Sequence, residues 1–217
     1  MKNIIFLAPP AAGKGTLSEL LVEKYNYGHI STGDLLRAEV KAGSELGKEA
    51  ESLMKAGKYV PDELIIKLIE NRITKPDCEH GYILDGFPRT INQAEKYDEL
   101  LSKMKKDLGV VIYIDIEKER AMKRACGRMT CPKCGKIYHK YSNEMKPAVE
   151  GICDICNVEL TQRADDSEET FIKRFDEYIE KTMPLYDYYN QKGVLETIKA
   201  HESKFDTLNE ALKVIEK

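Results

Sequence analysis

Asn3–Ala8, NIIFLA, is a short apolar run without polar alternation, the pattern of a strand buried on both faces of a parallel sheet. Gly81–Gly86 (GYILDG) and Gly109–Ile116 (GVVIYIDI) are two further strands, and Val194–Ile198 (VLETI) reads as another. Between them the apolar positions take helical spacing. Leu17, Leu20 and Leu21 lie on one face of Thr16–Tyr25, and similar periods run through Asp62–Thr74, Asn92–Met104 and Glu117–Cys126. A long, charged, amphipathic helix is predicted from about Asp166 to Asn190, with Pro184 kinking or breaking it. Strands alternating with helices predict βαβ units, hence an α/β fold with a mainly parallel sheet and helices on both faces. Two stretches leave this rhythm. Thr32–Tyr59 is helical and polar with no strand, and Gly127–Ala164 has short β-like runs and few long apolar segments. Both read as inserts on the side where open α/β sheets bind ligands, beyond the carboxyl ends of the strands.

A length of 217 residues fits one domain with small inserts, and 42% hydrophobic residues are enough for a real core. Charged residues make up 33% with a net charge of −3, which gives no case for a nucleic-acid or membrane partner. No stretch approaches the roughly 18 apolar residues of a membrane span. Ile4–Ala12 could pass for a signal-peptide core. However, only Lys2 precedes it, Pro9 and Pro10 interrupt it, and GKGT follows at once, so a buried first strand is the better reading. The expectation is a cytoplasmic, monomeric protein.

Directly after the first strand comes FLAPPAAGKGT, Phe6–Thr16. It departs from the strict G-x-x-x-x-G-K-[ST] phosphate loop, since Ala8 stands first and Gly15 separates Lys14 from Thr16. The context still fits: buried strand, tight turn, helix starting near Lys14. Backbone N–H groups and the positive helix end hold phosphate there. Alanine offers the same N–H as glycine, so Ala11, Ala12, Gly13, Lys14, Gly15 and Thr16 keep every donor. An alanine forced to positive φ would cost about 1–2 kcal/mol.

Six cysteines are present, four of them in two close pairs, CPKC (Cys131–Cys134) and CDIC (Cys153–Cys156), separated by the 18 residues Gly135–Ile152. That spacing matches C-x₂-C-x₁₅₋₂₀-C-x₂-C, and four thiolates suit a closed, structural, tetrahedral Zn²⁺ site. A small insert poor in apolar residues needs such a staple. Cys78 and Cys126 lack the spacing and read as plain buried thiols.

GKGT, HISTGDLLR (His29–Arg37), GKYVPDEL (Gly57–Leu64), LDGFPRT (Leu84–Thr90) with Gln93, and RADDSEET (Arg163–Thr170) follow one another in that order. With those blocks the chain resembles the adenylate kinases, in the long form with a zinc-bearing lid, from Ile4 to about Tyr186. The resemblance implies a P-loop nucleoside monophosphate kinase fold with a parallel five-stranded sheet. Its core would be 1–30, 61–126 and 165–217, with an NMP-binding insert at 31–60 and a zinc-binding lid at 127–164. It also implies the reaction ATP + AMP = 2 ADP with Mg²⁺. The family has glycine where Ala8 and Ala11 stand.

Carried over, Gly13, Lys14, Gly15 and Thr16 hold the ATP phosphates, with Arg124, Arg128 and Tyr138 also on the ATP side. Thr32, Arg37, Lys58, Tyr59, Val60, Gly86, Arg89 and Gln93 match AMP-site positions. Thr32 and Gln93 would read the adenine, while Arg37 and Arg89 would hold the AMP phosphate. Arg163 and Arg174 also match AMP-site positions, converge on the phosphates and, with Lys14, Arg89 and Arg124, form the catalytic set. Asp85 matches an acid that touches Mg²⁺ through water.

These residue types suit the reaction. The attacking phosphate oxygen is already ionised, so no general base is needed, and His29, His80, His139 and His201 read as ordinary packing or surface residues. Catalysis then consists of positioning and electrostatic stabilisation. Arginine serves best because its planar fork binds phosphate oxygens bidentately and stays protonated. Water is the rival acceptor, so the two inserts are expected to close as covers. Asp165 and Asp166 are expected to cap the following helix and to pair with lid arginines. The alternatives are a kinase for another nucleoside monophosphate, an inactive member of the family, and a nucleotide-gated zinc ribbon that binds nucleic acid. Against the last, Glu144, Glu150, Asp154 and Glu159 break up any basic stripe made by Lys133, Lys136, Lys140 and Lys146.

Overall fold

The computed structural model describes residues 3–217, so Met1 and the Lys2 weighed above lie outside the described residues. Five strands make one sheet: β1 (Ile4–Leu7), β2 (Gly28–Ser31), β3 (Tyr82–Asp85), β4 (Val110–Asp115) and, last in the chain, β7 (Leu195–Lys199). All neighbours are parallel, in the order β2-β3-β1-β4-β7. A parallel sheet buried on both faces sends alternate side chains to opposite sides. Ile4 and Phe6 pack with the face covered by α1 (Lys14–Tyr25) and α9 (Lys204–Ile215). Ile5 and Leu7 join the other face, under α4 (Asp62–Ile73), α5 (Ile91–Met104) and α8 (Pro184–Gln191).

The remaining elements sit at the carboxyl edge of the sheet. After β2 come α2 (Thr32–Ala42) and α3 (Glu45–Lys55), whose N-termini are capped by Ser31 and Ser44. After α6 (Lys118–Gly127) a small antiparallel pair, β5 (Arg128–Thr130) and β6 (Ile137–His139), carries the cysteine pairs. Helix α7 (Glu168–Glu177) then returns to the core.

Pattern and structure differ in four places. Strand β2 has no counterpart in the pattern, because GHIS has one aliphatic residue, Ile30, to mark it. Helix α9 is likewise absent from the predicted elements. The long helix after Asp166 is not continuous. The break falls just before Pro184, which opens α8, the second of the two outcomes expected of it; what the pattern does not foresee is the π-helical turn, Tyr178–Thr182, that joins α7 to α8. Finally, Ser167 caps α7 by accepting from the Thr170 amide, so Asp165 and Asp166 are not the caps expected. The expected pairing with arginines is present: Asp166 engages Arg128 of the cysteine insert, and Asp165 engages Arg174 of α7.

Candidate active site

The loop after β1 delivers its amides to one point. Helix α1 begins at Lys14 with no side-chain cap, and among the described residues the amides of Gly13, Lys14, Gly15 and Thr16 meet no acceptor. Four unpaired donors at a helix N-terminus form an anion site. The two alanines behave differently. Ala8 has ordinary backbone, whereas Ala11 is left-handed at φ 59. Its methyl packs against Ala121, Ala125 and Phe171, which offsets part of the strain.

Lys14 folds back over the loop, and its ammonium donates to the carbonyls of Ala8 and Pro9, both at 2.9 Å. Burial first, and then Arg89, Arg174 and Arg128, pull its pKa down to about 8 against the opposing pull of Asp85. Arg124, from α6, ties the loop to the far side of the sheet. One guanidinium nitrogen donates to the Ala12 carbonyl at 3.1 Å and the other to the His201 carbonyl at 2.5 Å.

These groups open onto a cleft of about 1280 Å³ at the carboxyl ends of β1, β2 and β3. It is roomy even against the roughly 300–1,000 Å³ of an ordinary single-ligand pocket. Arg37, Arg89, Arg124, Arg128, Arg163 and Arg174 all line it with Lys14. Carboxylates satisfy three of them. Asp34 takes Arg37 at 2.5 Å, Asp165 takes Arg174 at 2.6 Å, and the buried Asp166 takes both Nε and Nη2 of Arg128. Lys14, Arg89, Arg124 and Arg163 have no ion-pair partner among the described residues. Burial, then Arg128 and Arg37, lower Arg163 to about 10. Holding four uncompensated cations together is costly unless a polyanion neutralises them.

At the other end of the cleft, the Thr32 hydroxyl donates to the Gly86 carbonyl at 2.8 Å, and Arg89 Nε donates to the same carbonyl at 2.7 Å. Gly86 sits at φ 80, and a Cβ there would meet Thr32 Oγ1 and Arg89 Nη2 at 2.9 Å, so no other residue fits. Gln93 is buried and lines the same pocket. Lys58, Tyr59 and Val60 close this end, with the Arg89 guanidinium 5.0 Å from the centre of the Tyr59 ring.

Among the predicted nucleotide-site residues, Tyr138 is the one turned away. In β6 side chains alternate, so Ile137 and His139 face the cleft while Tyr138 is buried in the insert's own core. Its hydroxyl accepts from the Asp154 amide at 2.9 Å, which leaves only its main chain for a ligand.

Two contributors lie outside the predicted set. Residues 201–204, directly after β7, line the cleft, and position alone signals them, since they follow a strand at its carboxyl end. Thr182, in the π turn, donates to the Arg89 carbonyl at 2.8 Å, so the Tyr59 hydroxyl 2.8 Å away must donate to Thr182. No sequence signal announces a π turn.

The family model described as "Adenylate kinase" matches residues 6–194. The chain is 46% identical over 213 residues to an adenylate kinase of Acetivibrio thermocellus, covering 98% of this chain and 97% of that one. It is 48% identical over 201 residues to one from Clostridioides difficile, covering 93% and 92%. An adenylate kinase of Thermodesulfovibrio yellowstonii is 46% identical over 215 residues, with 99% of both chains covered. The chain belongs to the adenylate kinase family. It is therefore a nucleoside monophosphate kinase, a transferase built on a parallel five-stranded sheet.

The cysteine insert of this adenylate kinase family member can be tested against a metal. The four Sγ atoms lie within 4.8 Å of one another. The Cys134 and Cys153 sulfurs are 3.8 Å apart, which matches the roughly 3.8 Å edge of a tetrahedron with Zn–S near 2.3 Å. The pairs form two similar knuckles. The Cys134 amide points at Cys131 Sγ at 3.5 Å, and the Cys156 amide points at Cys153 Sγ at 3.4 Å. Each knuckle then turns through a left-handed residue, Gly135 at φ 77 and Asn157 at φ 54. The donor set fits zinc.

Asp85, at the end of β3, lies beside the phosphate loop, with its carboxylate 3.7 Å from where a Cβ on Gly15 would sit. It has no ion-pair partner among the described residues, as suits an acid that holds the water shell of a hard cation.

Proposed function

We propose that the protein catalyses ATP + AMP = 2 ADP, with the triphosphate on the loop amides and the monophosphate at the Arg89–Gln93 end. The observation that carries this is the convergence of four uncompensated cations and four free amides on one cleft large enough for two nucleotides. Such an array favours bringing two polyanions into line and stabilising the charge that moves between them.

In this reading Gly13, Lys14, Gly15 and Thr16 hold the ATP phosphates, and Arg124 and Arg128 flank that nucleotide. Arg37 and Arg89 hold the AMP phosphate. Thr32 and Gln93 face its base, with the main chain of Lys58–Val60 beside it. Arg163 and Arg174 lie between the two phosphate ends. Mg²⁺, held through water by Asp85, would neutralise phosphate charge during transfer. Zinc on Cys131, Cys134, Cys153 and Cys156 would order the lid without touching the substrates. Residues 31–60 and 127–164 act as two covers on a core of 1–30, 61–126 and 165–217.

A coupled assay of ADP formation, run with AMP, CMP, UMP and GMP in turn, tests this proposal. AMP is expected to give the highest kcat/KM. Lys14→Ala and Arg89→Ala are each expected to lower it by roughly 10²-fold or more, the scale for losing one preorganised charge donor. Undiminished turnover in both variants would overturn the assignment.

A further inference from the structure

The carboxylate of Asp62, the first residue of α4, is central to a hydrogen-bond cluster that the reaction itself does not require. Its Oδ1 accepts from Gln93 Nε2 at 2.6 Å. Its Oδ2 accepts from the Thr90 hydroxyl at 3.1 Å and from Asn92 Nδ2 at 2.7 Å. Three side chains at the start of α5 therefore converge on one acid from another helix.

We propose that Asp62 is a positioning residue that fixes which way round the Gln93 carboxamide is presented, and so makes the site choose a 6-aminopurine over a 6-oxopurine. This rests on Gln93 being the base-contacting residue of the proposed function. A carboxamide is nearly symmetric in shape but not in chemistry: one end accepts and the other donates. A 6-aminopurine shows an N–H₂ donor beside a ring-nitrogen acceptor, whereas a 6-oxopurine shows an oxygen acceptor beside an N–H donor. Turning the amide over exchanges the base it complements.

Two fixed partners decide the orientation here. Asp62 can only accept, so it meets the NH₂ end. The Arg89 amide can only donate, and it meets Gln93 Oε1 at 2.8 Å. Each partner still leaves Gln93 one N–H and one lone pair for a base. Because Gln93 is buried, a misplaced amide end would lose its partner without water to replace it.

Asp62→Asn tests this directly. Two donors, Thr90 and Asn92, face one oxygen of Asp62, so the carbonyl of the substituted carboxamide turns toward them and its NH₂ toward Gln93. One of the two constraints is thereby reversed. The readout is the ratio of kcat/KM for AMP to that for inosine monophosphate, which differs at the 6-position and N1. The two values come from the same enzyme preparation, so the ratio does not depend on the fraction folded. Asp62→Asn is expected to lower the ratio about tenfold or more, mainly through KM for the monophosphate, with KM for ATP unchanged.

Asn92→Ala, which removes a different arm of the cluster, is expected to leave the ratio within about twofold. An equal fall in Asn92→Ala would mean that the cluster acts only as packing, and would overturn the proposal. Gln93→Leu separates the layers. If it collapses the ratio while Asp62→Asn does not, the positioning role is wrong and the base assignment stands. If neither changes it, Gln93 does not read the base and both readings fall.

Discussion

Ala11 shows how a residue can break a local rule without consequence. Its left-handed backbone costs about 1–2 kcal/mol, but its methyl is packed against α6 and Phe171, a gain of about 0.8 kcal/mol, and glycine would add about 0.4–1 kcal/mol of unfolded-state entropy. These terms nearly cancel. Ala11→Gly is therefore expected to change stability by less than about 1 kcal/mol, a Tm shift of about 4 °C or less for a chain of this size. A larger shift by calorimetry would mean that the strain or the packing has been misjudged. Lys14 makes a sharper prediction. With its pKa near 8 in the free enzyme, raising the pH above that value removes the ammonium before ATP arrives, so kcat/KM for ATP falls as pH rises through about 8. Bound phosphates favour the charged form, so kcat, which reports the complex, stays level to higher pH. Stability follows the opposite course. The unfolded chain keeps this proton up to about 10.5, so over that window the group makes the ligand-free protein more stable as pH rises. Residue identities at this scale were legible because the motifs specify chemistry. The direction of a side chain was not, and Tyr138 is the case in point: strand alternation in a three-residue element decides it, and the sequence marks no register there.

The elements reveal where pattern reading succeeds and why it stops. The apolar runs that became β1, β3 and β4 are buried along most of their length, and such strands declare themselves by composition, whereas β7, at one sheet edge, is buried only at Ile198. Strand β2 lies at the sheet edge with a polar sequence, and is held by pairing to β3 rather than by its own residues. The π turn is a tertiary effect. It carries Thr182 to the Arg89 carbonyl and the Tyr59 hydroxyl, so it links the segment that holds Tyr59 to the arginine proposed to hold the monophosphate. Thr182→Val removes both bonds while keeping the shape. The expected result is a severalfold rise in KM for AMP with KM for ATP unchanged, and an equal rise in both would show a general loosening instead. The cysteine insert has a buried core of Cys131, Tyr138, Cys153 and Leu160, too small to fold on apolar burial alone. Purified protein is expected to carry about one zinc per chain by elemental analysis. Chelation should raise KM for ATP more than KM for AMP, because the insert covers the phosphate-loop end.

At the scale of the whole molecule, both inserts rest on the body of the sheet and its helices. Ile137 of β6 lies 3.9 Å from where a Cβ on Gly15 would sit, and Glu144 accepts from the Lys204 amide at 3.1 Å. On the other side, a Cβ on Gly57 would lie 3.2 Å from the Arg174 side chain. Asp165 and Asp166 stand where the cysteine insert returns to the core, and their carboxylates hold Arg174 and Arg128 in the cleft wall. Asp166 is fully buried and Arg128 nearly so, and breaking such a pair leaves a charge without a partner, at a cost of about 3 kcal/mol or more. Asp166→Asn is therefore expected to lower Tm by several degrees. If the pair served stability alone, the ratio of ATP hydrolysis to phosphoryl transfer would not change. If it holds the cover shut, water gains access whenever the cover loosens, and the ratio rises with saturating AMP present. We expect the rise, because Arg128 lines the cleft and also begins β5, so the same bond fixes a cleft-lining cation and the start of the strand that follows it. Hydrolysis and transfer measured side by side in wild type and Asp166→Asn decide the matter, and an unchanged ratio together with a lower Tm would reduce the pair to a structural staple.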